Sequence, residues 1–132
     1  MPGKRFLLDT NAVVALLQGH SGLAALTDDA QWLGISVITA LEFSGFPDLT
    51  DADRALFAAF VARVEVVDLA FSNTLLTGNI NILRRTRALK LPDAIILGTA
   101  VASRAVLLTH DEQLLRMNGA ADNAVVQRFD AT

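Results

Sequence analysis

Four acidic residues stand where a solvated charge is not expected. Asp9 follows the apolar run Phe6-Leu7-Leu8, and Asp111 follows Val106-Leu107-Leu108-Thr109-His110. Glu42 lies between Leu41 and Phe43, and Asp93 opens the stretch Ala94-Ile95-Ile96 behind Pro92. A buried carboxylate is costly unless it is paired, hydrogen-bonded or bound to a metal. Taken singly, Asp93 reads as a cap, because Pro92 starts a helix and a carboxylate there gains from the macrodipole. Gathered in one place, the four would repel and raise one another's pKa values unless a cation lay between them. An all-oxygen set with room for water suits Mg²⁺ or Mn²⁺, and without histidine or cysteine ligands it is a poor zinc site. The four are far apart in the chain, so only the tertiary fold can assemble them. Asp28, Asp29, Asp48, Asp51, Asp53 and Glu112 lie in polar stretches or caps and read as surface, whereas Asp68 follows a strand and is harder to place.

The elements that must position these acids alternate in type. Arg5–Leu8, Trp32–Ser36, Glu65–Val67 and 105–109 read as strands, with 124–128 a fifth on the edge. Helices are expected over 12–18, over 21–30 with Ser21 as cap, and over 39–43. Another should run from a Thr50/Asp53 cap to Val64, then one over 71–89 and one from Asp93 onward. Leu76, Ile80 and Leu83 share one face of the 71–89 helix, with the arginines off that stripe. Such alternation predicts a three-layer α/β/α fold, one domain over residues 1–132, with a mainly parallel central sheet of four to five strands. Ligands of such sheets collect at the carboxyl ends of strands, where Asp9 and Asp111 fall. The helix after Thr50 is apolar nearly all round and belongs either in the core or on a partner. Phe57 and Phe60 are expected to lie on an interface with a partner protein or a second copy.

The 132 residues are 52% hydrophobic with a mean hydropathy of +0.42. That suits a sheet covered on both faces together with a partner surface. Absence of cysteine excludes disulfides and thiolate chemistry. A net charge of -3, from 11 basic and 14 acidic residues, argues against a basic protein that coats nucleic acid. It leaves a nuclease open, because bound divalent cations reverse the local sign. Residues 1–17 carry Lys4 and Arg5 ahead of an apolar stretch, as a signal peptide does, but Asp9 and Asn11 interrupt it and no convincing cleavage site follows. No run approaches the roughly eighteen apolar residues that span a bilayer. A cytoplasmic location without membrane contact is expected.

Four segments occur in a telling order: Leu7-Leu8-Asp9-Thr10-Asn11, Ile38-Thr39-Ala40-Leu41-Glu42-Phe43, Leu91-Pro92-Asp93-Ala94-Ile95-Ile96 and Leu107-Leu108-Thr109-His110-Asp111. In this order they resemble the PIN-domain ribonucleases, most of all the VapC-type toxins of toxin–antitoxin pairs. The resemblance implies a Mg²⁺- or Mn²⁺-dependent endoribonuclease, usually a homodimer, that acts on RNA and is held inactive by a cognate antitoxin. By position, Asp9, Glu42, Asp93 and Asp111 match the family's acids, and Asn11 and Thr109 its supporting polar residues. Asp9 and Asp93 are expected to bind metal directly. Glu42 and Asp111 would bind it directly or through water, or orient the nucleophile, with Asn11 fixing a carboxylate. The implied chemistry is in-line attack by a metal-activated water, leaving 5′-phosphate and 3′-hydroxyl ends. Two positions depart from the pattern: Leu114 stands where Phe is common, and Leu97-Gly98 where small alanines are.

Arg84, Arg85, Arg87 and Lys90 form a basic cluster just before Asp93. It reads either as a solvated face at a helix C-terminus or as phosphate contacts flanking the site. No aromatic interleaves it, which argues against base stacking there. His110 reads as a rim residue with a proton shuttle as the other option, His20 as solvent-facing, and Trp32 and Met117 as packing. Rival functions fit less well. A phosphatase of the haloacid dehalogenase type needs a second Asp where Asn11 stands, and a phospho-receiver needs an early acidic pair. A catalytically silent PIN-fold module that binds RNA or protein has no reason to keep four mutually repelling acids.

Overall fold

A computed structural model describes residues 4–119 and 124–129; the ends of the expected 1–132 domain lie outside them. The elements are β1 (Arg5–Leu8), α1 (Thr10–Leu17), α2 (Ser21–Asp28), β2 (Trp32–Ser36), α3 (Val37–Ser44) and α4 (Asp51–Val61). They continue with β3 (Glu65–Val67), α5 (Thr74–Arg87), α6 (Leu91–Ala102), β4 (Val106–Thr109), α7 (Glu112–Leu115) and β5 (Val126–Arg128). Among the described residues the five strands form one sheet in the order β3-β2-β1-β4-β5, and every pairing is parallel.

The sheet separates two cores because successive side chains of a strand face opposite ways. Phe6 and Leu8 of β1 join Ile35, Leu108, Ala12, Val13, Phe43 and Phe60 on the face covered by α1, α3 and α4. Leu7 and Leu107 join Leu76, Ile80 and Leu83 of α5 and the buried run Ala94–Leu97 of α6 on the other. This is the expected three-layer fold. Gly98 has a packing reason, since a Cβ there would meet Ile80 Cγ1 at 2.9 Å, so α5 and α6 approach closely. Leu114 is fully buried in the same core. Trp32 packs against it, with the Arg5 guanidinium 4.6 Å above its ring, and Met117 also packs there. Among the described residues no helix is long and apolar enough to cross a membrane.

Several boundaries differ from expectation, each for a local reason. His20, not Ser21, caps α2: its Nδ1 accepts from the Leu23 amide at 3.0 Å. The ring is buried, edge-on to Phe129 at 5.5 Å, rather than facing solvent. Asn73 caps α5, which therefore starts at Thr74. The Thr50/Asp53 capping box forms as expected, but α4 stops at Val61. Phe60 is buried and Phe57, half-buried, stacks on Phe43 at 4.3 Å, so both turn toward the core, and Ala55, Leu56, Ala58 and Ala59 form the outer face. The short α7 was not expected; Asp111 starts it as N-cap. Asp68 is exposed.

Candidate active site

The register between β1 and β4 places Leu8 beside Leu108, and the Asp9 amide donates to the Leu108 carbonyl at 3.0 Å. Asp9 thus leaves the sheet beside Thr109, at the carboxyl edge. Asp9 is only 6% exposed, and its carboxylate accepts three hydrogen bonds. The Thr10 amide donates to Oδ1 at 2.8 Å, while the Thr109 hydroxyl at 2.7 Å and Asn11 Nδ2 at 3.2 Å donate to Oδ2. With about four lone-pair sites per carboxylate, one remains for the cleft. Thr109 Oγ1 in turn accepts from the Asp111 amide at 3.0 Å and Asn11 Nδ2 at 3.3 Å. Asn11 Oδ1 accepts from the His110 amide at 3.3 Å. Asn11 and Thr109 therefore both hold the Asp9 carboxylate.

Asp9, Glu42, Asp93 and Asp111 all line one open cleft of about 470 Å³, together with Thr10, Asn11, Phe46 and His110. Glu42 comes from α3 and is exposed, and its Oε1 accepts from the Thr10 hydroxyl at 2.8 Å. Thr10 therefore links the strand-end acid to the helical one. Its position directly after Asp9 was the only signal, and sequence reading gave it no role. Asp93 lies in the first turn of α6, where Pro92 presets the helical backbone. Asp111 Oδ1 accepts from the Gln113 and Leu114 amides at 2.8 and 3.4 Å. His110 is exposed on the rim, its ring 5.0 Å from that of Phe129.

The electrostatics match crowded carboxylates. Burial above all raises the Asp9 pKa, the bonds from Thr109 and Thr10 oppose it, and the charges of Asp93 and Asp111 add to it. Asp93 is raised by burial first and then by Asp111 and Glu42, against a smaller lowering by Lys90. Both acids would ionise more readily beside a cation. Among the described residues no group of three acids or histidines stands close enough to grip one ion directly. The oxygen-only donors fit an ion held by one or two carboxylates with water filling the other positions, which is how Mg²⁺ is commonly held.

The basic cluster does not line this cleft. Arg84 and Arg85 flank one groove, and Arg87 and Lys90 another.

Residues 6–120 match the sequence profile of the PIN domain. The chain belongs to the PIN-domain family. The PIN fold aligns with VapBC2 from Rickettsia felis, bound to a promoter DNA fragment, at a TM-score of 0.72 and 20% identity, covering 96% of this chain and 99% of that one. A toxin–antitoxin complex from Klebsiella pneumoniae aligns at 0.70 and 25% identity, over 92% and 95%. DNA-bound VapBC from Salmonella typhimurium aligns at 0.70 and 21%, over 95% and 98%. No curated protein matches this PIN domain in sequence.

Proposed function

We propose that this PIN domain is a divalent-metal-dependent endoribonuclease, the toxin of a VapC-type toxin–antitoxin pair. One observation carries the proposal: four acids from separate parts of the chain line a single cleft at the carboxyl edge of the sheet, and the pKa values of two are raised there. Such crowding weakens a fold unless a ligand compensates it. Asp9, fixed by three donors, and Asp93, at the start of α6, would hold Mg²⁺ or Mn²⁺. When bound, the ion lowers the pKa of a coordinated water and offsets charge on the scissile phosphate. Glu42, anchored by Thr10, and Asp111, anchored by the first amides of α7, orient the attacking water or reach the ion through it. Thr109 and Asn11 keep the Asp9 carboxylate aimed at the cleft. The products are 5′-phosphate and 3′-hydroxyl ends.

A cognate antitoxin is the expected protein partner, in keeping with the toxin–antitoxin complex from Klebsiella pneumoniae that this chain resembles at 25% identity. A homodimer and a cytoplasmic location belong to the same proposal. The test is cleavage of total cellular RNA with Mg²⁺ or Mn²⁺, with fragment ends mapped. Loss of cleavage in Asp9→Asn and Asp93→Asn, with the fold intact, is the expected result. A catalytically silent RNA- or protein-binding module would leave the RNA uncut by wild type and variants alike.

A further inference from the structure

A groove of about 240 Å³ lies between the α5–α6 turn and α7, and Arg87, Lys90, Gln113 and Arg116 line it. Arg116 comes from the C-cap of α7 and joins the other two cations only through the fold. None of the three is in an ion pair, because among the described residues the sole ion pair is Glu112–Arg128. Lys90 and Arg116 feel Asp93 and Glu112 only through the field. Three cations facing one groove without an acid in contact repel one another and favour an anion there.

Two elements that border this groove, α6 and α7, also position Asp93 and Asp111. Lys90 is the N-cap of α6 and precedes Asp93 by three residues, a rise of about 4.5 Å. Gln113 donates its amide to Asp111. The basic groove and the acidic cleft therefore adjoin along α6 and α7. No aromatic lines the groove, so it can grip a backbone but offers no stacking platform.

We propose that this groove holds a backbone phosphate of the RNA beside the scissile one, so that Arg87, Lys90 and Arg116 set the register of the strand over the acids. The proposal rests on the ribonuclease assignment and narrows the basic cluster: Arg84 and Arg85 face elsewhere. The test is the salt dependence of Mg²⁺-dependent cleavage of a fluorescein-labelled, mixed-sequence single-stranded RNA of about twenty nucleotides. Wild type is compared with Arg87→Gln, Arg116→Gln, the double variant, and Arg63→Gln as an exposed control.

In the double variant KM should rise about tenfold with kcat nearly unchanged, and the slope of log(kcat/KM) against log salt should fall by roughly 0.7 per cation removed. Fluorescence anisotropy with the same RNA on an Asp93→Asn background should show the same loss of affinity without turnover. Arg63→Gln should behave as wild type. Unchanged KM and slope, or a fall in kcat alone, in a double variant compared with an active wild type would overturn the groove and leave the ribonuclease standing. A wild type that neither binds nor cuts this RNA or total cellular RNA would overturn both.

Discussion

Thr109→Val is the sharpest perturbation of the site, because it removes one hydroxyl hydrogen-bonding arrangement and little else. Thr109 is fully buried, and valine has nearly its shape. The lost bond runs from Thr109 Oγ1 to Asp9 Oδ2 at 2.7 Å, and a hydrogen bond to a charged group contributes about 1.5–3 kcal/mol. The Asp111 amide also loses its 3.0 Å acceptor, but Asp111 is only half-buried and water can substitute. The added buried methyl returns up to about 0.8 kcal/mol. The net loss at pH 7 is about 2 kcal/mol, or roughly 8 °C in Tm for a domain of this size.

The pH dependence identifies the cause. The folded pKa of Asp9 already lies above its ordinary 3.8. The hydroxyl favours the ionised form, so removing it raises that pKa further. The variant's excess penalty is therefore small below the wild-type folded pKa, grows between the two folded values, and is constant above the higher one. Thr109→Ser keeps the hydroxyl and loses only a methyl, about 1 kcal/mol, without that pH dependence. Thermal melts of the three proteins across this range, in chelator, are the assay. A Val penalty that stays the same on the acid side, or that matches Ser at neutral pH, would refute the role assigned to this hydrogen bond.

Three other outcomes are expected. Thr10→Val releases Glu42 and should lower RNA cleavage about tenfold, with stability within about 0.5 kcal/mol of wild type, and Thr10→Ser should restore the rate. In chelator at pH 7, Asp93→Asn should melt above wild type, because an acid with a raised folded pKa weakens the fold increasingly as pH climbs past its ordinary value. Mn²⁺ at a hundred times its Kd should stabilise wild type by about 2.7 kcal/mol, an effect that shrinks in Asp93→Asn; equal responses in melting curves would remove Asp93 from the metal site. Phe57→Asp should cost more than about 3 kcal/mol in denaturant unfolding because its ring stacks on Phe43, whereas Leu56→Asp, at a side chain 50% exposed, should cost less than about 0.5 kcal/mol.

Features controlled by near neighbours in the chain were legible. Apolar runs marked β1 and β2 at their observed bounds, since a strand covered on both faces needs little else, and the short edge strand β3 was marked by Val66-Val67. Thr50 and Asp53 announced their cap, and the spacing of Leu76, Ile80 and Leu83 announced the buried face of α5. Asp9 and Asp111 were marked by following apolar strands, where an uncompensated charge is costly. Tertiary structure decided what depends on distant partners. Phe129 helps bury His20, Phe43 draws Phe57 against the core, and Ile80 gives Gly98 its purpose. Within the site, Thr10 reaches Glu42 across 32 positions and Thr109 reaches Asp9 across 100. Arg116 meets Arg87 and Lys90 only because α7 folds beside α6. Helical periodicity could not reveal α7, which is a single turn held by the Asp111 side chain. Local patterns record burial and capping, because those energies act within a turn or a strand. The direction in which each carboxylate points depends on hydrogen bonds between elements that only the folded sheet brings together.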